Sequence, residues 1–286
     1  MILIAGIEGF LGSRLAQTIQ SRGFKVYGTI NQSEPKEPRE GIIYLNHKQT
    51  NLDLEIPEFD VVINAVGYYG KTNSIYDLSK NIISNSASTL DLLKFITKQT
   101  KTVINLSSYF EFAPNPPGTT LSQYSASKIL GRSTLENFCK NAEVQFVSCV
   151  LYDNYSEDLR RGKLIDQLVT AANQGTRIRI NNFNNKMNLI YVNDLVEIIA
   201  DISEYEHKSL NSIFQIKSGQ VFSVREIINL INSISVNQLI VESREKNSSV
   251  YSIHEVWNSA PDWIGPAKLK NFEDFLTEGV LTGKSN

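Results

Sequence analysis

The sequence predicts an α/β fold: a doubly wound parallel sheet with helices on both faces, and a smaller, discontinuous C-terminal lobe. Three observations predict it. The chain opens on a short apolar run, a glycine turn and a helical pattern; apolar runs then alternate with helix-spaced segments as far as Leu151; beyond Tyr152 the pattern breaks into shorter, mixed elements. The division expected is residues 1–151 with 182–204 for the sheet domain and 152–181 with 205–286 for the lobe.

Met1 to Ala5 is too short and too continuously apolar for a helix, and it stops at Gly6-Ile7-Glu8-Gly9-Phe10-Leu11-Gly12 before a helical pattern through Gln20. This is strand, turn, helix. Glycines there let a backbone approach a pyrophosphate, whose charge is favoured at the start of a helix, so the turn predicts a Rossmann-type dinucleotide site. The competing reading is a tight turn that binds nothing.

Lys25 to Ile30 reads as the second strand, whose end meets the adenosine ribose in such a fold. The residues after it, Asn31, Gln32 and Ser33, carry no charge. With no carboxylate until Glu34, that stretch does not repel a 2′-phosphate, so the sequence leans to NADP(H) over NAD(H). Pro35 and Pro38 make the next segment a loop, and Asp53-Leu54 is a candidate edge for the adenine. Asp60 to Gly67 is a strand that ends in Ala65-Val66-Gly67, small enough for a ligand to lie across it. Residues 81–98 repeat apolar positions at helical spacing.

Val103 to Leu106 is strand-like and delivers Ser107 and Ser108 to the same edge. A Pro-rich excursion follows, and then a helix over about 122–140 capped by Ser122 or Thr120. Val144 to Leu151 closes the alternating part. In the lobe the spacing predicts a helix over 163–173, an edge strand over 177–180, a strand over 188–192, a helix entered at Asn193-Asp194, a helix after Ser223 with Glu226 as its capping-box partner, and a short helix over 270–276.

The composition excludes several classes of function. With 28 basic and 30 acidic residues the net charge is -2, and no basic cluster points to nucleic acid or an anionic membrane. No apolar run approaches the roughly 18 residues of a membrane span, and no charged leader precedes the first strand, so a cytoplasmic protein is expected. Cys139 and Cys149 lie in apolar surroundings without ligand spacing, which reads as buried thiols in a reducing compartment. His47, His207 and His254 are scattered, so no metal site is expected.

The chemistry is carried by Tyr124-Ser125-Ala126-Ser127-Lys128. A free phenol ionises only near a pH of about 10. A lysine four residues on, along one helix face, is expected to hold its ammonium beside the phenol and lower that value. Tyr44 with Lys48 and Tyr76 with Lys80 share the spacing. Only Tyr124 follows a strand that ends in two serines and opens a helical pattern.

Together the glycine turn, the strand over 60–67, Asn85, Ser107-Ser108 and Tyr124 with Lys128 resemble the extended short-chain dehydrogenase/reductases of the NAD-dependent epimerase/dehydratase type that act on nucleotide sugars. The segment Leu151-Tyr152-Asp153-Asn154-Tyr155, followed by Arg160-Arg161-Gly162-Lys163-Leu164, is similar to members that reduce a 4-keto-deoxysugar, the CDP-abequose and CDP-paratose synthases of O-antigen and lipopolysaccharide biosynthesis.

The resemblance implies that Tyr124 protonates the sugar carbonyl oxygen, that Lys128 lowers the phenol pKa and holds the nicotinamide ribose, and that Ser108 hydrogen-bonds the same oxygen. Ser107 is the substitute if the strand end is shifted. Gly6, Gly9, Phe10, Leu11, Gly12, Asn31, Ser33, Asp53 and Leu54 would contact the cofactor, as would Ala65, Val66, Gly67 and Leu151. Asn85 matches a buried asparagine that organises hydrogen bonds. Tyr109, Asp153, Lys163, Arg177 and Arg179 are candidates for the nucleotide sugar; Asp153 stands where many relatives have asparagine, and Met187 near a position often held by arginine.

The reading that follows is an NADPH-dependent oxidoreductase, a nucleotide-sugar 4-ketoreductase acting on a CDP-linked 6-deoxy or 3,6-dideoxyhexose. A nucleotide-sugar 4-epimerase with bound NAD is the alternative in the same family, and a catalytically silent dinucleotide-binding module the alternative outside enzymes. The resemblance also implies a homodimer built on the helices over 81–98 and 122–140.

Overall fold

The computed structural model describes residues 1–46, 57–70, 74–112, 122–204, 212–243 and 268–281. Its first elements are β1 (Ile2–Ala5), α1 (Phe10–Ser21), β2 (Val26–Ile30), β3 (Ile42–Asn46), β4 (Val61–Asn64), α2 (Ile75–Ile82), α3 (Ser88–Leu93), β5 (Thr102–Ser108), α4 (Gln123–Asn141) and β6 (Gln145–Leu151). There follow β7 (Asp153–Tyr155), α5 (Leu164–Gln174), β8 (Arg177–Ile180), β9 (Lys186–Tyr191), α6 (Val192–Glu204), β10 (Ser212–Ile216), β11 (Val221–Ser223), α7 (Val224–Ile234), β12 (Ile240–Ser243) and α8 (Phe272–Phe275).

Two units separate among the described residues: Met1–Leu151 with Val196–Ile216, and Tyr152–Leu195 with the residues described from Lys217 onward. In the first, seven strands run parallel in the order β10-β6-β5-β4-β1-β2-β3. The runs β1, β4 and β5 are buried at every position, which is why none of them alternates apolar with polar residues. Leu3, Val62, Phe59, Phe95, Val103 and Leu135 meet in one cluster, with Phe59 set edge-on between Tyr27 and Phe95 at 5.2 and 6.1 Å.

Two elements differ from expectation. β3 lies in a stretch that the prolines mark as loop; as an edge strand it buries only Ile42, so its pattern is weak. The helix expected over 81–98 begins earlier, at Ile75 with Ser74 as its cap, widens to a π turn over Ile83–Ala87 and ends at Leu93. The periodicity runs past that end because Phe95 and Ile96 still enter the core from 3-10-type turns, with Phe95 N donating to Leu92 O.

In the second unit β9 pairs in parallel with β7 and antiparallel with β11, and β8 pairs with β12. Residues 182–195, expected with the sheet domain, thus contain a strand whose partners lie in the second unit. Tyr155, Leu168, Leu189, Ile227, Phe272 and Phe275 form its core. The capping box at Ser223 is present, with Glu226 Oε2 accepting the Ser223 N–H. Trp257, Trp263 and the three histidines lie outside the described residues. No described helix is long and apolar enough to cross a membrane.

Candidate active site

The turn between β1 and α1 is closed by Gly9 N donating to Gly6 O at 2.9 Å, and Gly6 has a φ of +77°, a value side chains other than glycine's adopt at a cost. A Cβ on Gly12 would stand 2.2 Å from the Gly6 carbonyl oxygen. Helix and turn therefore touch backbone to backbone. Gly9 caps α1 with no side chain, so the helix start is approachable by an anion. Phe10 and Leu11, both half-buried, open the helix, and the Arg14 guanidinium lies 4.0 Å above the Phe10 ring. Val66, just past β4, is within 3.1 Å of where a Gly6 Cβ would be, and Ala65 N donates to Ala5 O. These features fit a dinucleotide: a cradle without side chains, a helix start, and a small-residue edge at Ala65, Val66 and Gly67.

At the end of β2, Asn31 and Ser33 are exposed. Glu8, from the glycine turn, reaches that loop: its Oε1 accepts Lys36 N at 2.6 Å and Gln32 Nε2 at 3.2 Å. The sequence reading counted only residues 31–33 there and missed this carboxylate; its place inside the glycine turn was the available signal. Arg39 is close by, donating from Nη1 to Ser13 O in the first turn of α1. Asp53 and Leu54 lie outside the described residues. Leu151 ends β6 in register with Ser108.

Asn85 sits in the π turn, where its Oδ1 accepts Tyr68 N at 2.8 Å and its Nδ2 donates to Tyr68 O and Ser127 Oγ, each at 2.9 Å. It ties the segment after β4 to α4 and makes no other use of its amide except a longer approach to Asn81. The π turn also comes close to α4: a Cβ on Gly131 would stand 2.0 Å from Asn85 O.

Ser108 and Ser107 point to opposite sides of β5, as successive strand residues must. The Ser108 hydroxyl accepts Phe110 N and stands beside the Tyr124 phenol, whose pKa it pulls down. Ser107, offered as its substitute, is instead part of a buried chain that runs from Asn64 Nδ2 to Asn105 Oδ1, from Asn105 Nδ2 to Ser107 Oγ, and on to Ser148 Oγ at 2.7 Å. Its hydroxyl is spent within the sheet.

Tyr124 is half-buried at the start of α4, edge-on to Tyr69 at 5.0 Å and to Phe110 at 6.2 Å; Tyr109 stacks on Phe110 at 4.2 Å. Burial pushes the phenol up to about 12, and the Ser108 hydroxyl pulls against that rise. The expected lowering by Lys128 is absent, and the geometry explains why. Lys128 Nζ donates to Leu106 O at 2.7 Å and approaches Val66 O at 3.5 Å, and burial holds the lysine itself below its ordinary range. The ammonium-beside-phenol pairing is found at the exposed Tyr76–Lys80, whose lysine lies 4.5 Å from the ring.

The remaining candidates belong to the second unit. Asp153 is half-buried in β7; Lys163 caps α5 and donates its N–H to Asp166 at 2.9 Å; Arg177 and Arg179 both pair with Glu242 across the β8–β12 ladder. Met187, half-buried on β9, packs against that unit's core. Within the first unit, then, a phenol and a serine hydroxyl stand side by side at the carboxyl end of a parallel strand, with a buried lysine one helical turn away. Such a pair can pass a proton to a carbonyl oxygen and donate a hydrogen bond to it.

The model of the NAD dependent epimerase/dehydratase family matches residues 2–216. The chain is 27% identical over 251 residues to a CDP-abequose synthase from Yersinia pseudotuberculosis, covering 83% of this chain and 86% of that protein. Among solved structures, a UDP-glucose 4-epimerase from Thermotoga maritima with UDP-glucose superposes with a TM-score of 0.77 at 16% identity, over 98% of this chain and 97% of that one. A UDP-glucuronic acid 4-epimerase from Bacillus cereus in complex with NAD does so with a TM-score of 0.72 at 18% identity, over 85% of each chain.

Proposed function

The chain belongs to the NAD dependent epimerase/dehydratase family, and from that premise we propose that it reduces the C4 keto group of a CDP-linked 6-deoxy or 3,6-dideoxyhexose with NADPH. The coarser statement stands on the family: this is a nicotinamide-dependent enzyme of the extended short-chain dehydrogenase/reductase type that modifies nucleotide sugars. The observation that carries the finer one is the Tyr124 phenol beside Ser108 at the end of β5, in a chain 27% identical to a CDP-abequose synthase.

A nicotinamide dinucleotide, when bound, supplies the hydride. The rest falls to the chain. Gly6, Gly9 and Gly12 would hold the pyrophosphate at the start of α1. Ala65 to Gly67 would leave room for the ring, which Asn85 secures indirectly by fixing Tyr68. Tyr124, protonated at neutral pH, would give its proton to the C4 oxygen while Ser108 donates to the same atom. Lys128 would hold the nicotinamide ribose from its buried place between Leu106 and Val66. Tyr109, Asp153, Lys163, Arg177 and Arg179 remain the proposed contacts to the nucleotide sugar, the last two after exchange of Glu242 for phosphate.

NADPH over NADH is supported by the uncharged Asn31 to Ser33 and by Arg39 at the first turn of α1, while the Glu8 carboxylate is met by two donors. A homodimer is supported by apolar side chains that stand out from α2, the π turn, α3 and α4: Ile75, Ile83, Leu90 and Leu130, all more than half exposed. Light scattering on the purified chain and on Leu130→Glu tests it. A cytoplasmic place is supported by the free, buried Cys139 and Cys149.

The test is the stoichiometric loss of NADPH absorbance with a CDP-linked 4-keto-6-deoxy or 4-keto-3,6-dideoxyhexose. Tyr124→Phe is expected to lower turnover by about a thousandfold with NADPH affinity nearly unchanged. Equal rates for wild type and variant would refute the reading. The 4-epimerase reading is favoured by the solved structures above; it requires interconversion of the C4 epimers without net use of added cofactor, which the same assay separates. A silent module would consume nothing with any keto-sugar.

A further inference from the structure

The 3-10 turn over Tyr109–Glu111, just after β5, ends in a carboxylate that the chemistry above does not use. Glu111 is buried, its Oε1 accepting Ser108 N at 3.0 Å and its Oε2 accepting Arg132 Nε at 3.0 Å. Arg132, two turns along α4 from Tyr124, also donates from Nη1 to Glu136 at 2.9 Å and lies 5.2 Å from the Phe112 ring. A buried ion pair costs desolvation that apolar residues of like volume would avoid, so its place demands a reason beyond packing.

The reason lies at Ser108. Its backbone N–H donates to Glu111 and its hydroxyl stands beside the Tyr124 phenol, so the carboxylate and the phenol bear on the same serine. The Glu111 charge acts on Tyr124 and on Lys128 in one sense, keeping the proton on each. Arg132 offsets part of that charge from the far side.

We propose that the Glu111–Arg132 pair positions the Ser108 hydroxyl against the Tyr124 phenol and sets, by the charge it leaves uncompensated, the pH above which that phenol ceases to deliver its proton. The inference rests on the reading of Tyr124 as proton donor. The groups that bear on the phenol are Ser108 from β5, Glu111 from the 3-10 turn, Tyr69 from the segment after β4, and, on α4 itself, Lys128 on the Leu106 carbonyl and Arg132 on Glu111.

The experiment is the pH profile of keto-sugar reduction. Glu111→Gln keeps an acceptor for Ser108 N–H and removes the charge, so the alkaline limb of the profile moves down by about one pH unit. Arg132→Met leaves the carboxylate uncompensated and moves the limb up by a similar amount; Arg132→Lys stays near wild type. The double variant Glu111→Gln/Arg132→Met, which loses both charges, has its limb above that of Glu111→Gln, and it carries the test if Arg132→Met alone does not fold. Limbs that coincide with wild type, or that move in one direction for both single variants, overturn the inference. Tyr124→Phe separates the two levels: full activity in that variant removes the proton donor itself, whereas loss of turnover with unmoved limbs in the Glu111 and Arg132 variants removes only the pair's role.

Discussion

Lys128 Nζ donates to the Leu106 carbonyl oxygen at 2.7 Å, which makes the lysine a strut between α4 and the end of β5. Its i+4 spacing from Tyr124 puts both on one helix face, yet the ammonium reaches past the phenol to the strand. Lys128→Met removes that bond and also a buried charge, two effects of opposite sign. Stability is expected to change by less than about 2 kcal/mol while turnover is lost, a split that denaturant unfolding and the reduction assay resolve together.

Gly12→Ala forces a methyl to 2.2 Å from the Gly6 carbonyl oxygen, and the obstacle is backbone, which cannot swing aside. The turn must open. A cost of about 1–3 kcal/mol in unfolding free energy is expected, together with weaker dinucleotide binding by titration calorimetry. Binding at wild-type strength would mean that this turn does not hold the pyrophosphate.

The Glu8 carboxylate, bonded to Gln32 and Lys36, lies at the loop that carries the exposed Asn31 and Ser33. Glu8→Gln keeps an acceptor for Lys36 N–H and removes the negative charge. The ratio of NADPH to NADH affinity is expected to rise several-fold, on the order of 1 kcal/mol for one charge near the surface. A ratio that falls would place the adenosine ribose elsewhere.

Burial pushes the Cys139 thiol up to about 12 and Cys149 higher still. A thiol whose proton is held more tightly in the folded chain adds stability that is whole below its ordinary value of about 8.5 and is lost as pH rises toward the folded one. Both thiols should therefore resist iodoacetamide at about pH 8 and react only as the chain unfolds. The unfolding free energy should fall less steeply above about pH 9 in Cys149→Val than in wild type. Rapid alkylation of the folded protein at either residue would contradict their placement.

The Rossmann-type half was legible because its signals are local. A buried strand, a turn that only glycine fits and an amphipathic helix each occupy fewer than about twenty neighbouring residues, and Ser122 and Ser223 cap the helices that their positions announce. The end of β5 was legible for a related reason: successive strand residues face opposite sides, so of its two last serines Ser107 joins Ser148 in the buried chain and Ser108 lies on the other side. β3 and the π turn escaped, the one because an edge strand buries a single residue, the other because a widened turn preserves the apolar repeat on both sides.

Which carboxylate, ammonium or hydroxyl meets which was decided in three dimensions. Glu8 finds Lys36, Glu111 finds Arg132, Lys128 finds Leu106 and Ser107 finds Ser148, across 21 to 41 residues of chain. Spacing along one helix names the face a side chain shares, not the partner it reaches; Tyr76–Lys80 and Tyr124–Lys128 have the same interval and opposite outcomes. A charge taken out of water goes to the nearest group that can replace its hydration, and the fold alone determines which group that is.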